Sequence, residues 1–513
     1  MILLRKNYHD HEACPAAGQG FFFTTKNTKR TKKNLCVLCA LCGAVFGCDQ
    51  SRVTIDTPNK SKQSTGQIPK SFHQLGCFYP LEKLFFYFFY RIFLLALLTL
   101  QCASTPSQRV HLRLINLAHL NHLYEEIEIG GRSMAIIHIY AEYPDYKWVD
   151  DSDEGIACVD DASRAAVVYL RYFEITGDTS SLQRAKKLID FCRSMQAADG
   201  QFYNFIFADH AINREGKTSF KSFGWWAARG MWAMGEGYRV FRDRDPAYAR
   251  LLQQHLRKTF MHIDTLLQHY PTIAAVNGFK APRWLLYNSA ADATTELVLG
   301  LAAYYEASRD QRVKPYLEKF GEAFLAMQLG DEKHFPYGAI LSWQNIWHAW
   351  ANGQTQALAG IAKLVQRDDF LLAAKREAEF FFPYLQKENF PREIQFARNG
   401  DQIQAAKIER FDQIAYGLRP MIVGALRVAE ATNEPRFAEL AGELATWFFG
   451  SNLAKAKMYD PATGRGYDGI RSETEINRNA GAESTIEALY SILEVEANPV
   501  ARQKLYEKIA DTE

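Results

Sequence analysis

The chain has 513 residues, of which 48% are hydrophobic and 23% are charged. This composition is that of a globular protein, and it excludes a collagenous, coiled-coil or wholly disordered chain. The net charge of +2 indicates neither a nucleic-acid-binding protein nor an acidic tail. A chain of this length holds two to four domains or one large repetitive fold.

Charge and cysteine content divide the chain near residue 105. Residues 1–105 contain 13 Lys and Arg against 5 Asp and Glu, whereas residues 106–513 contain 47 against 53. Seven of the nine cysteines precede residue 103, so only Cys158 and Cys192 fall in the body of the chain. We therefore interpret the chain as a basic, cysteine-rich leader followed by a mildly acidic domain.

The leader, residues 1–80, contains three closely spaced cysteines, Cys36, Cys39 and Cys42. Thiolates at this spacing can share zinc or an iron–sulfur cluster. The fourth cysteine, Cys48, is too distant for a ferredoxin-type run, and Asp49 follows it where proline is usual. We therefore favour a leader that is translated upstream sequence outside the fold, and we expect no metal there.

Residues 81–106 resemble a signal or anchor. The stretch 92–100 is an apolar run of nine residues, which is the length of a secretory h-region and too short to span a membrane. Cys102 follows it, as in a bacterial lipoprotein signal. An anchor reaching further back, or a buried helix, is the alternative. We expect an exported protein, periplasmic or at the cell surface, with lipid attachment at Cys102 left open and any membrane contact confined to this segment.

The body repeats one unit of helix, short turn, helix and long loop. Residues 107–158 form an extension that we expect to pack on the body, which runs from 159 to 513. Turn signals such as Gly177-Asp178 and Asn498-Pro499 separate the two helices of each pair. The predicted helices are approximately 159–176, 179–198, 223–242, 246–268, 290–308, 310–328, 344–365, 367–387, 412–431, 434–450, 480–495 and 498–510.

The faces of these helices alternate. The helix over 179–198 has one apolar stripe with charges opposite, whereas the first helix is apolar nearly all round from Ala165 to Leu170. A helix that is apolar on every side is buried on every side. Six buried helices alternating with six half-exposed ones predict an all-α fold of six hairpins, the (α/α)6 toroid. A solenoid of hairpins is the alternative, but it would expose one side of every helix.

Long loops indicate where the functional site lies. They run from each half-exposed helix to the next buried helix and therefore emerge on one face of the toroid, over the N-termini of the inner helices. Long loops in a compact domain usually carry function. We expect a site where these loops meet the first turns of the inner helices.

Carboxylates and aromatics dominate that face. Pyranose rings stack on Trp and Tyr, and polar side chains bind the hydroxyl groups. We predict Glu483 as the general acid, because the apolar residues before it would raise its pKa, and Asp160 or Asp161 as the base. The predicted substrate-binding residues are Asp199, Phe202, Asn204, Trp225, Trp284, Tyr287, Asp292, Trp343, His348, Asp412, Tyr416, Arg419, Tyr459, Asp468 and Asn479.

Structural roles compete with these assignments. Asp160 or Asp161 could cap the first helix, Asp292 could cap its own helix, and Glu483 could bond to the N–H groups of its own first turn. Trp225, in a buried helix, is more typical of core than of a sugar platform. The body has no metal, phosphate or nucleophile motif, so we expect neither metal nor cofactor. Basic residues form no stripe, so we expect no nucleic-acid partner.

Four motifs between residues 155 and 495 carry a resemblance. They are Asp199-Gly200-x-Phe202-x-Asn204-Phe205, Trp447-Phe448-x-Gly450-x-Asn452, Tyr459-Asp460-x-x-Thr463-Gly464 and Asn479-x-Gly481-Ala482-Glu483-Ser484-Thr485. With six hairpins, they resemble bacterial six-hairpin glycosidase-like proteins. The arrangement is also similar to family 9 glycoside hydrolases, which implies an early base and an acid opening the last inner helix. Their paired-Asp signature around a glycine is replaced here by Val159-Asp160-Asp161-Ala162.

These observations predict a glycoside hydrolase with a glycan substrate. A polysaccharide lyase or unsaturated-uronide hydrolase on the same fold is one alternative, with Tyr416, His348 and Arg419 as its candidates. A non-catalytic glycan-binding protein is another. A sugar epimerase would need paired histidines on facing inner helices, where His348 stands alone in the sequence.

Overall fold

The computed structural model describes residues 112–511. The leader, the signal-like segment and Cys102 therefore lie outside the described residues. Within 112–511, the chain forms a short helix, α1 (Ala118–Leu123), followed by six helical hairpins. No helix in this part of the chain is long and apolar enough to cross a membrane.

Two concentric rings of helices confirm the predicted (α/α)6 toroid. The inner helices are α2 (Val159–Thr176), α4 (Trp225–Phe241), α6 (Ala291–Ser308), α8 (Gln354–Val365), α11 (Ala415–Thr432) and α13 (Ala482–Ala497). The outer helices are α3 (Thr179–Ser194), α5 (Pro246–Leu267), α7 (Lys314–Ala326), α9 and α10 (Asp368–Arg376 and Phe382–Lys387, joined by the π-helical turn Glu377–Phe381), α12 (Pro435–Ala445) and α14 (Pro499–Ala510). Each inner helix packs on the next, and α13 packs on α2, which closes the ring.

Burial follows the predicted alternation. Nearly every residue of α4 is buried, whereas the neighbouring outer helix α5 buries one stripe that includes Leu252, Leu256 and Ile263. Polar caps begin several outer helices: the Asp178 carboxylate accepts the N–H groups of Ser180 and Ser181 at the start of α3. The inner helices are therefore enclosed on all sides, whereas the outer helices bury one face.

Glycines allow α4 and α6 to approach closely. A Cβ atom on Gly235 would lie 2.1 Å from the carbonyl oxygen of Gly300, and one on Gly300 would lie 2.6 Å from the backbone of Met231. Neither position can hold a larger residue without moving a helix. The glycines of these two helices are thus required by the close approach of the two backbones.

Short antiparallel strands lie in the connections. Before α2 come β1 (Tyr124–Ile129), β2 (Arg132–Ile137), β3 (Tyr140–Glu142), β4 (Lys147–Val149) and β5 (Ala157–Cys158), and β5 pairs with β6 (Phe205–Ile206). Later come β7 (Ile273–Val276), β8 (Phe279–Pro282), β9 (Gln328–Leu329), β10 (Ala339–Ile340), β11 (Ile346–His348), β12 (Glu393–Asn399), β13 (Gln402–Glu409), β14 (Tyr459–Asp460), β15 (Arg465–Gly466), β16 (Gly469–Ile470) and β17 (Ile476–Asn477). Most pair as two-stranded hairpins, and β11, β12 and β13 form one three-stranded sheet.

Two predictions of secondary structure were wrong. The helix expected from 344 begins at Gln354, because residues 346–348 pair with β12 as strand β11. The loop expected over 388–411 contains the β12–β13 hairpin, with Asn399 paired to Gln402 across a two-residue turn. Both errors fall in the long connections, where the helical pattern gives no information.

Candidate functional site

A cavity opens at the N-terminal ends of α2, α11 and α13. Its volume is about 220 Å³, and it opens to solvent. Its polar lining residues are Tyr140, Glu142, Glu154, Asp160, Asp161, Arg164, Arg229, Asp412, Tyr416, Asp468, Arg471, Asn477, Asn479, Glu483 and Ser484. A cavity therefore lies in the region where the long loops led us to expect a site.

The first turn of α2 places two adjacent carboxylates in this cavity. Asp160 Oδ1 lies 3.0 Å from Arg229 Nη1, and Asp160 Oδ2 accepts a hydrogen bond of 3.2 Å from the side chain of Asn204. Asp161 Oδ1 accepts a hydrogen bond of 2.8 Å from Arg164 Nη2. The N-cap of α2 is Cys158, whose sulfur accepts the Asp161 N–H. Both carboxylates thus face cationic partners and do not cap the helix.

The closing helix of the ring brings Glu483 to the same place. Arg164 Nη1 donates to Glu483 Oε2 at 3.1 Å, although the two residues are 319 positions apart. The side chain of Glu483 is 26% exposed, while that of Arg164 is 3% exposed. One guanidinium therefore joins the carboxylates of the first and last inner helices.

Burial raises the pKa values of three acids that line the cavity. Desolvation raises the pKa of Asp161 to about 6, and the nearby Arg164 opposes this rise. Burial also raises the pKa of Asp468 and that of Asp412. The sequence argument expected Glu483 to lie among apolar neighbours; in the structure its carboxylate accepts a hydrogen bond of 3.1 Å from Arg164.

A buried ionic network continues below the cavity. Glu487 accepts hydrogen bonds from Arg164 at 3.0 Å and from Arg419 Nε at 2.7 Å. Arg419 also donates to Glu296, and Tyr416 donates to the same Glu296 oxygen at 2.7 Å. The cation of Arg164 lies 4.9 Å from the centre of the Tyr416 ring. The carboxylates at the cavity floor are therefore held by charged side chains from several inner helices.

Sequence reasoning missed most of this network. Arg164, Arg229 and Glu487 each lie buried within an inner helix that is mostly apolar. A charged side chain is almost never buried without a partner, so charges in fully buried helices predict contacts between those helices. These charged residues are visible in the sequence, and the ring topology shows which helices they connect.

Several predicted substrate-binding residues line the cavity. They are Asp412, Tyr416, Asp468 and Asn479. Asp468 also fixes the start of α13, because its Oδ1 atom accepts hydrogen bonds from Gly481 N at 3.0 Å and from the Ser484 hydroxyl at 2.8 Å. Arg419 lies one layer below, in the ionic network.

Other predicted substrate-binding residues lie in the core or at the surface. Phe202, Trp284 and Tyr459 are almost completely buried and do not line the cavity, because these large side chains fill the space between packed elements. Trp284 donates its indole N–H to the Lys319 carbonyl at 2.8 Å. Asp199 pairs with Lys221 at 2.6 Å in an exposed turn. Their predicted contact with substrate is not supported by these positions.

The remaining predicted residues support the site from behind or lie beside it. Asn204 contacts Asp160 but not the cavity. Trp225, also outside the cavity lining, lies under the guanidinium of Arg229 at 4.9 Å. The lining also excludes the last four predicted residues, Tyr287, Asp292, Trp343 and His348. Tyr287 accepts the Trp225 N–H at 3.1 Å, and His348 Nε2 lies 2.9 Å from Asp292 Oδ2. Trp343 is half-buried.

The extension before α2 supplies one wall of the cavity, which the sequence argument did not predict. Tyr140 and Glu142 belong to β3, and Glu154 follows β4. Glu154 accepts hydrogen bonds from the Tyr140 hydroxyl at 2.9 Å and from the Thr218 hydroxyl at 3.2 Å. The acidic run near residue 150, which is also typical of a solvated loop, thus contributes a cavity residue.

Residues 112–511 contain no evident metal-binding site. No group of three or more His, Cys, Asp or Glu side chains in this part of the chain is arranged to hold an ion. Cys158 and Cys192 are both buried free thiols.

Comparison with known proteins identifies the fold. No protein-family model and no functionally curated protein matches the sequence. A sugar epimerase from a ruminal bacterium matches with a TM-score of 0.51 and 12% identity, covering 76% of this chain and 97% of the epimerase. An inactive variant of an alpha-1,6-mannanase from Salegentibacter sp. HEL1_6, solved with alpha-1,6-mannotriose, matches with a TM-score of 0.43 and 13% identity, covering 70% and 95%. A family 9 endoglucanase matches with a TM-score of 0.42 and 15% identity, covering 71% and 78%.

The likeness rests on architecture and not on sequence. The chain has the (α/α)6 toroid fold that its hairpins predicted, and it shares this fold with the sugar epimerase from a ruminal bacterium.

Proposed function

We propose that the protein is carbohydrate-active and acts as a glycoside hydrolase, with Asp161 and Glu483 as the two carboxyl groups of the reaction. The observation that carries this proposal is the position of Arg164. It donates to Asp161 at 2.8 Å and to Glu483 at 3.1 Å, and both acids line one cavity. Hydrolysis of a glycosidic bond needs one protonated and one ionised carboxyl group across that bond.

The contacts favour Asp161 as the proton donor and Glu483 as the base. The pKa of Asp161, raised to about 6 by burial, keeps a proton on this group under mildly acidic conditions. Glu483 is the more exposed of the two acids, 26% against 6% for Asp161, so a water molecule can reach its carboxylate and be activated there. This assignment reverses the roles that we expected from the sequence. Asp160 is the neighbouring candidate, although its carboxylate is already paired with Arg229.

The other activities considered for this fold have less support. An epimerase with paired histidines would need imidazoles in the cavity, and the residues described as lining it include none. His348 lies outside that lining with both ring nitrogens in contact, one with Asp292 and the other with the Trp350 carbonyl. A lyase using Tyr416 would need that hydroxyl free, whereas it donates to Glu296 and its pKa is raised by burial.

Substitution of each carboxyl group tests the proposal. The full chain, Glu483→Gln and Asp161→Asn would be assayed for reducing-sugar release from plant, microbial and host glycans. We expect each variant to lose about 10²–10⁴-fold in rate, which is the usual contribution of a general acid or base. Wild-type activity should fall as the pH rises through about 6, since Asp161 then loses its proton.

Exposed acids provide the matched controls. Glu473→Gln, in the loop before α13, and Asp401→Asn, in the β12–β13 turn, make the same chemical changes at exposed positions. Both should keep wild-type activity. Unchanged release by Glu483→Gln would refute its role, and binding without release by the wild-type chain would favour a glycan-binding protein.

A further inference from the structure

The β3–β4 hairpin is fixed directly to the start of α13. Ala480 N donates to the Ala141 carbonyl at 3.0 Å, and Ala482 N donates to the Ile139 carbonyl at 2.8 Å. Tyr143 N donates to Asn479 Oδ1 at 3.0 Å. Any ligand that reaches Glu483 therefore lies beside this hairpin.

Glu142 brings an unsatisfied acceptor to that wall. It lines the cavity, and its Oε1 atom is buried without a hydrogen-bond partner among the described residues. A carboxylate can only accept hydrogen bonds, and a buried acceptor without a donor is costly. A ligand that supplies a hydroxyl or an ammonium group would satisfy this oxygen.

Tyr143 supplies an exposed ring next to the wall that Glu142 forms, although it is not itself one of the cavity-lining residues. It follows Glu142 at the hairpin turn, is 56% exposed, and bonds through its backbone to the cavity residue Asn479. Its ring meets that of Tyr146 edge to face at 6.1 Å. Tyr146 is itself buried, with the guanidinium of Arg465 3.9 Å from its ring centre. An open aromatic ring on a supported turn is suited to stack on a pyranose face.

We propose that the β3–β4 hairpin forms a second sugar-binding subsite next to Glu483, for a neutral or amino sugar of an oligosaccharide. Glu142 accepts a hydrogen bond from the sugar and Tyr143 stacks on its ring. This inference rests on the proposed function, in that the bound glycan is longer than one unit. The charged lining residues of this wall are Glu142 and Glu154, so the carboxylate of a uronate bound against the hairpin would be repelled; the lining arginines Arg164, Arg229 and Arg471 belong to other elements.

Binding measurements test the subsite without requiring turnover. The full chain would be run in native gels containing glucomannan, hydroxyethyl cellulose, glycol chitosan or polygalacturonate. We expect retardation by at least one of the first three and none by polygalacturonate. Tyr143→Ala should weaken the binding about two- to tenfold, which is the usual contribution of an aromatic stacking contact, and Glu142→Gln should also weaken it. Tyr143→Phe keeps the ring and should bind like the wild type.

Phe220→Ala is the matched control, because Phe220 is a similarly exposed aromatic, 49% exposed, that lies against Trp226. Retardation that is equal in Tyr143→Ala and wild type, a preference for polygalacturonate, or no retardation at all would overturn the subsite. Binding that depends on Tyr143 without any product release would support the subsite and refute hydrolysis. Hydrolysis of an oligosaccharide with an unchanged KM in Tyr143→Ala would refute the subsite alone.

Discussion

Replacement of Arg164 by Gln should show how much the Arg164 cation contributes to the free energy of unfolding. The side chains of Arg164 and Asp161 are 3% and 6% exposed, and Asp161 would lose its cationic partner. A buried carboxylate left unpaired costs about 3–5 kcal/mol. Glu487 keeps its bond of 2.7 Å to Arg419, and the partly exposed Glu483 adds about 1 kcal/mol or less. We therefore expect Arg164→Gln to lower the free energy of unfolding by about 3–5 kcal/mol near pH 8.

The loss should grow with pH. Below about pH 6, Asp161 carries a proton in both proteins, and the variant loses mainly hydrogen bonds. Above pH 6, the wild type ionises and keeps its ion pair, whereas Asp161 of the variant has a higher pKa and retains its proton. The stability of the variant then falls relative to that of the wild type by about 1.4 kcal/mol per pH unit, until its own Asp161 ionises.

Urea unfolding followed by tryptophan fluorescence at pH 5 and pH 8 measures both effects. The control is Arg242→Gln, an exposed arginine at the end of α4 that pairs with its neighbour Asp243; it should unfold like the wild type at both pH values. A loss for Arg164→Gln that is equal at the two pH values, or larger at pH 5, would refute the electrostatic reasoning.

Two further predictions concern packing and burial. Gly235→Ala should lower the melting temperature, since its Cβ would lie 2.1 Å from the Gly300 oxygen and overpacking costs about 1–3 kcal/mol. Gly360→Ala, in an open position of α8, should be neutral or stabilising by up to about 1 kcal/mol, and equal shifts would contradict the packing argument. Burial raises the pKa of Glu377 to about 8, so the folded protein binds a proton at this carboxyl group more tightly than the unfolded chain does. The free energy of unfolding should therefore fall by about 4–5 kcal/mol between about pH 4.5 and pH 8. Glu377→Gln should lack this fall in denaturation at pH 6 and pH 9; an identical pH dependence would argue against it.

The fold could be predicted because apolarity alternates between successive helices. Ala165 to Leu170 leave no polar face on α2, whereas Lys186 and Lys187 lie opposite the buried stripe of α3. A double ring explains both patterns, because its six inner helices are buried on every side and its six outer helices on one side. The β12–β13 hairpin was missed although Asn399-Gly400 is a strong turn signal and Ile394 and Phe396 alternate with polar residues.

The site could be predicted only in part. Ring closure brought Glu483 to Asp160 and Asp161, since first and last helices of a ring must meet. Aromatic residues were over-assigned, because residue type alone does not separate a sugar platform from a core side chain such as Trp284. The cavity residue Glu142 was missed because it belongs to a segment before the repeating helices, whose position depends on backbone contacts that no periodicity encodes.

The cavity is complete only when α13 packs on α2 and closes the ring. The contact between Arg164 and Glu483 spans 319 residues, and both Glu483 and Glu487 are translated near the C-terminal end. A growing chain that has already formed its first four hairpins has Asp160, Asp161 and Arg164 in place, but it lacks two of the carboxylates that Arg164 contacts. The carboxylates around Arg164 are therefore assembled only when the ring closes. Loss of the last hairpin would remove Glu483, Glu487 and the closure of the ring together.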